Sequence, residues 1–485
     1  MAKLFRDIKY GIGAFFELRK YKKDISHSCQ ARKLGTIALM RKILHGDTSL
    51  FLVFLLFIFS IIKVWDYGRS YAGIDFYQFW VIGQVIAQSN PPNIYSDEDR
   101  RKIGQEFLQR SYRDSDSLRF RLAAENRKVF ETYSSPFLYS LFSVFSSGDF
   151  DTDYRRYQFF CLACTIFAIM TLCRLLGYSS ITAMLFVVMF TVWFEPFLSD
   201  MRVGNVNQIQ LAFLTLFLWF QSRRASKVRD FLSGVILGFS VMFKLNLIFV
   251  LLLLSLSSLI NRRFKKITFE YIGIISAVIS AFIFSSILFG SMRPWLDWII
   301  TMPSAPDSII TVNLGNFSPA MLIFEQFGFK PSNYLTVALL GIVTVFIWFG
   351  RRQGGVEAAE ITGTGPHLER PFLESNLMAG LGCLVYLLSA PLAWLHYFVL
   401  IIPIAIYILR PRDNACSQRM EKTSAIHRSL WAAAVTAIAI TPAQMVFGIK
   451  TMRSLAFSIS TGTLILFILA VCELKNMKER PHCFI

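Results

Sequence analysis

Four stretches of this chain place polar side chains where apolar residues surround them. "GIDFYQFW" (73–80) carries one acid, Asp75, with Tyr77 two residues on. "MRVGNVNQIQ" (201–210) carries Arg202, Asn205, Asn207 and Gln208. "GFSVMFKLNLIF" (238–249) holds a single cation, Lys244, and "SAPLAWLHYF" (389–398) holds Trp394 and His396. A carboxylate can take a proton, an ammonium can neutralise a phosphate, and amides and an imidazole can orient a polar substrate. Each stretch also has a plainer reading: Asp75 as a helix N-cap, the amide cluster as a polar helix start, Lys244 as a snorkelling side chain, and Trp394 with His396 as part of an aromatic belt. Together they are the set that a reaction on a phosphorylated substrate needs. Asp75 is the candidate base, and the other eight are candidate substrate-binding residues.

The elements that must position them are membrane helices. Of 485 residues, 54% are hydrophobic, 15% aromatic and only 17% charged, against roughly a quarter charged in soluble domains. Mean hydropathy is +0.48. Apolar runs long enough to cross a bilayer recur from residue 51 to 471, and lipid offers backbone groups no partners, so such runs must be helical. The chain therefore reads as an all-α, polytopic integral membrane protein. The net charge of +18 sits mostly in short inter-helix segments and both tails. That is the positive-inside bias plus attraction to anionic lipid, and it calls for no nucleic acid.

Placing "RRASKVR" (223–229), "NRRFKK" (261–266), "RR" (351–352), "RPR" (410–412) and both tails inside gives about twelve crossings. The runs are 49–65, 157–176, 179–194, 207–222, 230–243, 247–260, 268–290, 334–350, 375–390, 395–410, 429–447 and 454–472. A basic cytoplasmic segment (1–48) then precedes a transmembrane domain (49–474) with external loops 66–156 and 291–333, and a cytoplasmic tail (475–485) follows. The first loop reads as amphipathic helices, with "PFLYSLFSVF" (136–145) an interfacial one. Both loops read as lids over the outer face rather than as soluble domains. All four polar constellations fall at external helix ends. "DFDTD" (149–153) reads as a polar turn, not a nucleotide-sugar site. The eight Cys residues are scattered: Cys161 and Cys164 suit packing, and Cys29, Cys416, Cys472 and Cys483 fall in segments placed inside, so neither a disulfide framework nor a structural zinc is expected.

The order "GIDFYQFWVIGQVI…PPNIY", "YSSPFLYSLF", "VGNVNQIQLAFLTLFLW", "GVILGFSVMFKLNLIFVLLLL" and "PLAWLHYFVLIIP" resembles glycosyltransferase family 87, a GT-C group of polyprenyl-phosphate-mannose-dependent α-mannosyltransferases. The likeness covers about residues 70–400. "YSSP" has Ser where the family pattern has a first Pro, Asn205 stands for Gln, no Pro follows in "KLNL", and "WLHY" has one His rather than two. The resemblance implies that Asp75 is the catalytic base in the first external loop. It implies that Lys244 and the polar mouth around Asn205 and Asn207 hold donor phosphate or acceptor, and that His396 lies at the rim. It also implies a GT-C architecture with interfacial helices in the first external loop.

The expected activity is inverting transfer of a sugar, with mannose the family default, from a polyprenyl-phosphate-linked donor to an acceptor hydroxyl. The acceptor would be a glycolipid, a glycan or a protein, and the reaction would take place at the outer face of the cell membrane. Membrane lipids are the remaining partners; neither a nucleotide cofactor nor a metal is expected. The alternatives are a lipid or polysaccharide transporter, which would spread charge through the bilayer midplane, and a catalytically inactive scaffold, which would not need Asp75.

Overall fold

A computed structural model describes residues 47–88, 91–113, 117–301, 311–353, 370–411, 421–449 and 451–479. The tail expectations for 1–46 and 480–485, part of the second external loop, Arg412, and the placements of Cys29, Cys416 and Cys483 lie outside these residues. The chain divides into two compact units, 1–56 and 57–485. The described part of the first is the opening of helix α1 (Asp47–Arg69), which continues into the second. Every residue discussed below belongs to the second unit.

Among the described residues no β-strand forms; one isolated bridge joins Asn316 and Trp394. The first loop contributes α2 (Ile74–Ile86), α3 (Asp97–Arg113), α4 (Leu118–Asn126) and α5 (Pro136–Phe145). Then come α6 (Phe150–Leu175), α7 (Ser180–Val192), α8 (Glu195–Val203), α9 (Asn207–Gln221), α10 (Lys227–Phe243), α11 (Ile248–Ile260) and α12 (Phe264–Leu288). The second loop carries α13 (Arg293–Thr301) and α14 (Pro319–Phe327). Helices α15 (Ser332–Gln353), α16 (Arg370–Ser389), α17 (Ile402–Ile408), α18 (Glu421–Ile438), α19 (Thr441–Phe447) and α20 (Met452–Glu479) complete the order, with a 3₁₀ turn (Leu395–Ile401) leading into α17.

Every one of the twelve apolar runs is helical, wholly or for most of its length. Among the described residues six helices are long and apolar enough to cross a membrane, and the bent pair α7–α8, kinked by 61°, makes a seventh if it forms one span. Counting that pair, seven of the twelve runs pass on length and composition: α9, α10 and α11 have only 13 to 17 residues where a spanning helix needs about 20, 395–410 is a 3₁₀ turn leading into the short α17, and 429–447 is divided between α18 and α19. Helix α6 starts at Phe150, so the "DYRRYQ" stretch expected outside the span forms its first turns. "DFDTD" is a helix cap: Asp149 accepts from the backbone of Asp151 at 3.1 Å, and Asp153 accepts from Trp80 at 2.9 Å.

Local sequence starts these helices at defined points. Ser135 caps α5 ahead of Pro136 at its first turn, Ser179 caps α7, Ser226 caps α10, and Ser318 caps α14 ahead of Pro319. Each hydroxyl satisfies a backbone N–H that has no partner within the helix. The side chains fill two cores. One is largely aliphatic and lies among the longer helices. The other is aromatic, built from Phe76, Tyr77, Trp80, Phe120, Phe150 and Tyr154. Helix α2 is buried on almost every side by this second core, so the amphipathic reading of the loop fits the charged α3 and not α2. The loop that reads as a lid has a packed interior of its own.

Candidate functional site

The aromatic core holds Asp75 in place from behind. Helix α2 is capped by Gly73, which adopts φ 65° and makes no side-chain cap bond. Only glycine takes this backbone state without cost, and a Cβ there would stand 2.4 Å from the Tyr154 ring. Asp75 is thus inside the first turn and does not cap the helix. Its carboxylate turns to distant partners: Oδ1 pairs with Arg127 Nη2 at 2.6 Å, and Oδ2 accepts from Asn205 Nδ2 at 2.7 Å. Gln78, one turn further along α2, grips the peptide of Glu131, donating to its carbonyl at 2.8 Å and accepting from its N–H at 3.1 Å. That clamp fixes the segment bearing Arg127, whose second arm pairs with Glu131 at 2.8 Å.

Asn205 follows a second left-handed glycine, Gly204 (φ 70°), whose absent Cβ would meet Phe76 at 2.7 Å. The two glycines let the chain segments bearing Asp75 and Asn205 close on one another. The Asn205 carbonyl is held by Tyr157 at 2.7 Å. Its side chain is oriented by its neighbours: the NH₂ faces Asp75, and the oxygen accepts from Lys244 Nζ at 3.1 Å. Asn207 accepts from the same ammonium through Oδ1 at 2.8 Å, and its Nδ2 donates to the buried Asp200 at 2.8 Å. One amide therefore bridges candidate base and candidate cation.

Lys244 sits in the extended break (φ −158°) between α10 and the short turn Leu245–Leu247. Gln210 donates to its carbonyl at 2.9 Å and also to Asn246. Ser135, in the "YSSP" stretch, donates to the carbonyl of Met242 at 2.6 Å. The ammonium lies 3.9 Å from the centre of the Tyr397 ring, a cation–π contact. His396, beside Tyr397, brings Nε2 to 3.9 Å from Asp75 Oδ2, and that buried nitrogen has no hydrogen-bond partner. Asn316 from the second loop fixes this segment, donating to the Pro391 carbonyl at 2.8 Å and accepting from Ala393 at 2.9 Å.

Burial alone would raise the pKa of Asp75, but the Arg127 charge, His396 and the hydrogen bonds from Asn205 and Arg127 outweigh it and hold it below the usual carboxylate range. The group is ionised at neutral pH. Because its pKa is lowered on folding, the stability it contributes is present above the unfolded value, about 3.9, and is lost as pH falls through the lowered one.

Five of the nine expected residues meet here: Asp75, Asn205, Asn207, Lys244 and His396. Arg202 instead pairs with Glu195 at 3.7 Å and lies over the Tyr71 ring. Gln208 accepts from Thr165 at 2.8 Å within the core. Trp394 packs along Gly315 and bridges Asn316. Tyr77 is enclosed by Phe120, Phe130 and Phe150. Arg127, Asp200 and Tyr397 complete the cluster and were not expected from sequence. Asp200, an acid in a helix two residues before Arg202 and beside the amide stretch, gave a readable signal; Arg127, in the charged run "ENRKVF", gave none. Among the described residues no group of three or more His, Cys, Asp or Glu side chains is placed to hold a metal ion.

Residues 132–364 match the model of glycosyltransferase family 87. That segment carries Asn205, Asn207 and Lys244; Asp75, Arg127 and His396 lie outside it and join through the contacts above. No curated protein and no solved structure matches the chain.

Proposed function

For a chain that belongs, through residues 132–364, to glycosyltransferase family 87, a GT-C type family of membrane glycosyltransferases, we propose a specific reaction. The protein transfers a sugar, mannose by preference, from a polyprenyl-phosphate-linked donor to an acceptor hydroxyl at the outer membrane face, with inversion. The observation that carries this reading is the Asn205 amide joining Asp75 to Lys244. It keeps an ionised carboxylate and an ammonium side by side without letting them neutralise each other in a direct pair.

The chemistry divides between those two ends. The acceptor oxygen attacks the anomeric carbon as its proton passes to Asp75, a contribution of ~10²–10⁴-fold for a positioned base. The bond from that carbon to the phosphate oxygen breaks on the opposite face, and its electron pair leaves with the lipid phosphate. A single displacement inverts the anomeric centre, by the logic that governs inverting glycosidases. Lys244 offsets the charge that develops on the phosphate, with its carbonyl and the preceding turn held by Gln210 and Ser135. His396, its Nε2 still unpartnered and 3.9 Å from Asp75 Oδ2, contacts phosphate or acceptor hydroxyl.

The deciding experiment is radiolabelled mannose transfer from polyprenyl-phosphate-mannose in membranes carrying wild type or Asp75→Asn at matched protein levels. Transfer that vanishes in the variant supports both the enzyme and its base. Equal transfer in the two removes Asp75 from catalysis, and no transfer in either rejects this donor.

A further inference from the structure

Asp75 has both carboxylate oxygens engaged. Oδ1 is paired with Arg127 and Oδ2 is hydrogen-bonded by Asn205. Each oxygen keeps a further lone pair, but the paired guanidinium lowers the affinity of the carboxylate for a proton, and moving that charge away raises it. Asn205 is tied down by Tyr157 at its backbone and by Lys244 and Asn207 at its side-chain oxygen. Arg127 is the freer of the two. Its side chain reaches in from the end of α4, is 17% exposed, and already divides itself between Asp75 and a half-exposed Glu131. Its Nε is buried without a hydrogen-bond partner. A guanidinium fork also matches phosphate oxygens in pairs, as it does carboxylate oxygens.

We propose that Arg127 is a donor-phosphate ligand that exchanges partners: in the free protein it neutralises Asp75, and it shifts to the phosphate of the lipid-linked donor when that enters. The inference rests on the reading above and deepens it, because binding of the leaving group then frees the base. The donor binds before the acceptor can be deprotonated, and an empty site keeps its carboxylate paired.

The test is a binding cycle on the detergent-purified full chain, using farnesyl phosphate as probe and four forms: wild type, Arg127→Gln, Asp75→Asn and the double variant. Loss of one charge-assisted contact, about 1.5–3 kcal/mol, weakens binding roughly 10- to 150-fold in Arg127→Gln. Asp75→Asn tightens binding where Arg127 is present, because the competitor for the guanidinium is gone, and changes it far less where Arg127 is absent. Equal tightening in both backgrounds means that Asp75 merely repels the phosphate, and overturns the exchange. Unchanged binding in Arg127→Gln overturns the ligand role. Should Arg127→Gln not accumulate, Arg127→Lys carries the same cycle, with the charge kept and the fork lost. Inorganic phosphate is run alongside; binding as tight as farnesyl phosphate overturns the lipid source. A coupled cycle in a protein that transfers no mannose leaves the exchange standing while the proposed reaction fails.

Discussion

Two paired carboxylates in this molecule are held in opposite ways. Glu374, at the start of α16, accepts from Ser257, from Asn261 at 2.7 Å and from Arg263 at 2.9 Å. All three partners come from the last turn of α11 and the residues just after it, and none of these side chains leaves a buried polar atom unsatisfied. It is a staple between two helices. Asp75 instead draws hydrogen-bond partners from two remote segments, at residues 127 and 205, with His396 of a third 3.9 Å away. Around it His396 Nε2, Asp200 Oδ2 and Arg127 Nε are buried and unpartnered. Unused hydrogen-bonding capacity in a buried cluster is costly, and the proposed substrate would take it up.

The comparison is broken most directly at Asp75. Asp75→Asn should lower transfer by ~10²–10⁴-fold while the melting temperature of the purified protein stays within a few degrees of wild type. A collapse in stability there would make Asp75 a second staple. Next in size, Asn205→Ala unties both Asp75 and Lys244. The loss of a charge-assisted contact at the base should cut kcat/KM by about 10- to 150-fold, read in the same transfer assay. Glu374→Gln should do the reverse, costing about 1–3 kcal/mol of stability with KM for the donor unchanged; a raised KM would mean that the two clusters are coupled. The mildest signature is in pH. Since Asp75 is held below the usual carboxylate range, the acid limb of kcat/KM should fall below about pH 4, and Arg127→Gln should move it upward.

The helices themselves were readable because an apolar run declares itself locally: every one of the twelve runs is wholly or mostly helical. Crossing the membrane is a further condition of length, which α9, α10 and α11 miss. The burial of α2 was not legible because aromatic residues interleave with polar ones in "DFYQFW", and nothing local shows that Phe142 and Phe150 will close over Phe76. In the site, residues inside apolar runs stood out: Asp75, Lys244 and His396 are conspicuous by contrast. Arg127 did not, since an arginine amid charged neighbours looks like any solvated one, and its pairing with Asp75 spans 52 positions. Tyr77 and Gln208 show the opposite error, polar groups that packing absorbs into the interior.

The dispersal of this cluster along the chain also bears on how the protein is made. Residues 75, 127, 205, 244 and 396 reach one place only after more than three quarters of the chain has been synthesised. In chain order Asp75 and its partner Arg127 are made first, and Asn205, Asn207 and the Lys244 they hold follow. The imidazole and the Tyr397 ring that closes over the ammonium arrive last. Until then a lone lysine between short apolar stretches has only amide oxygens to hold it. Completion of the site is thus a late event in the life of the chain.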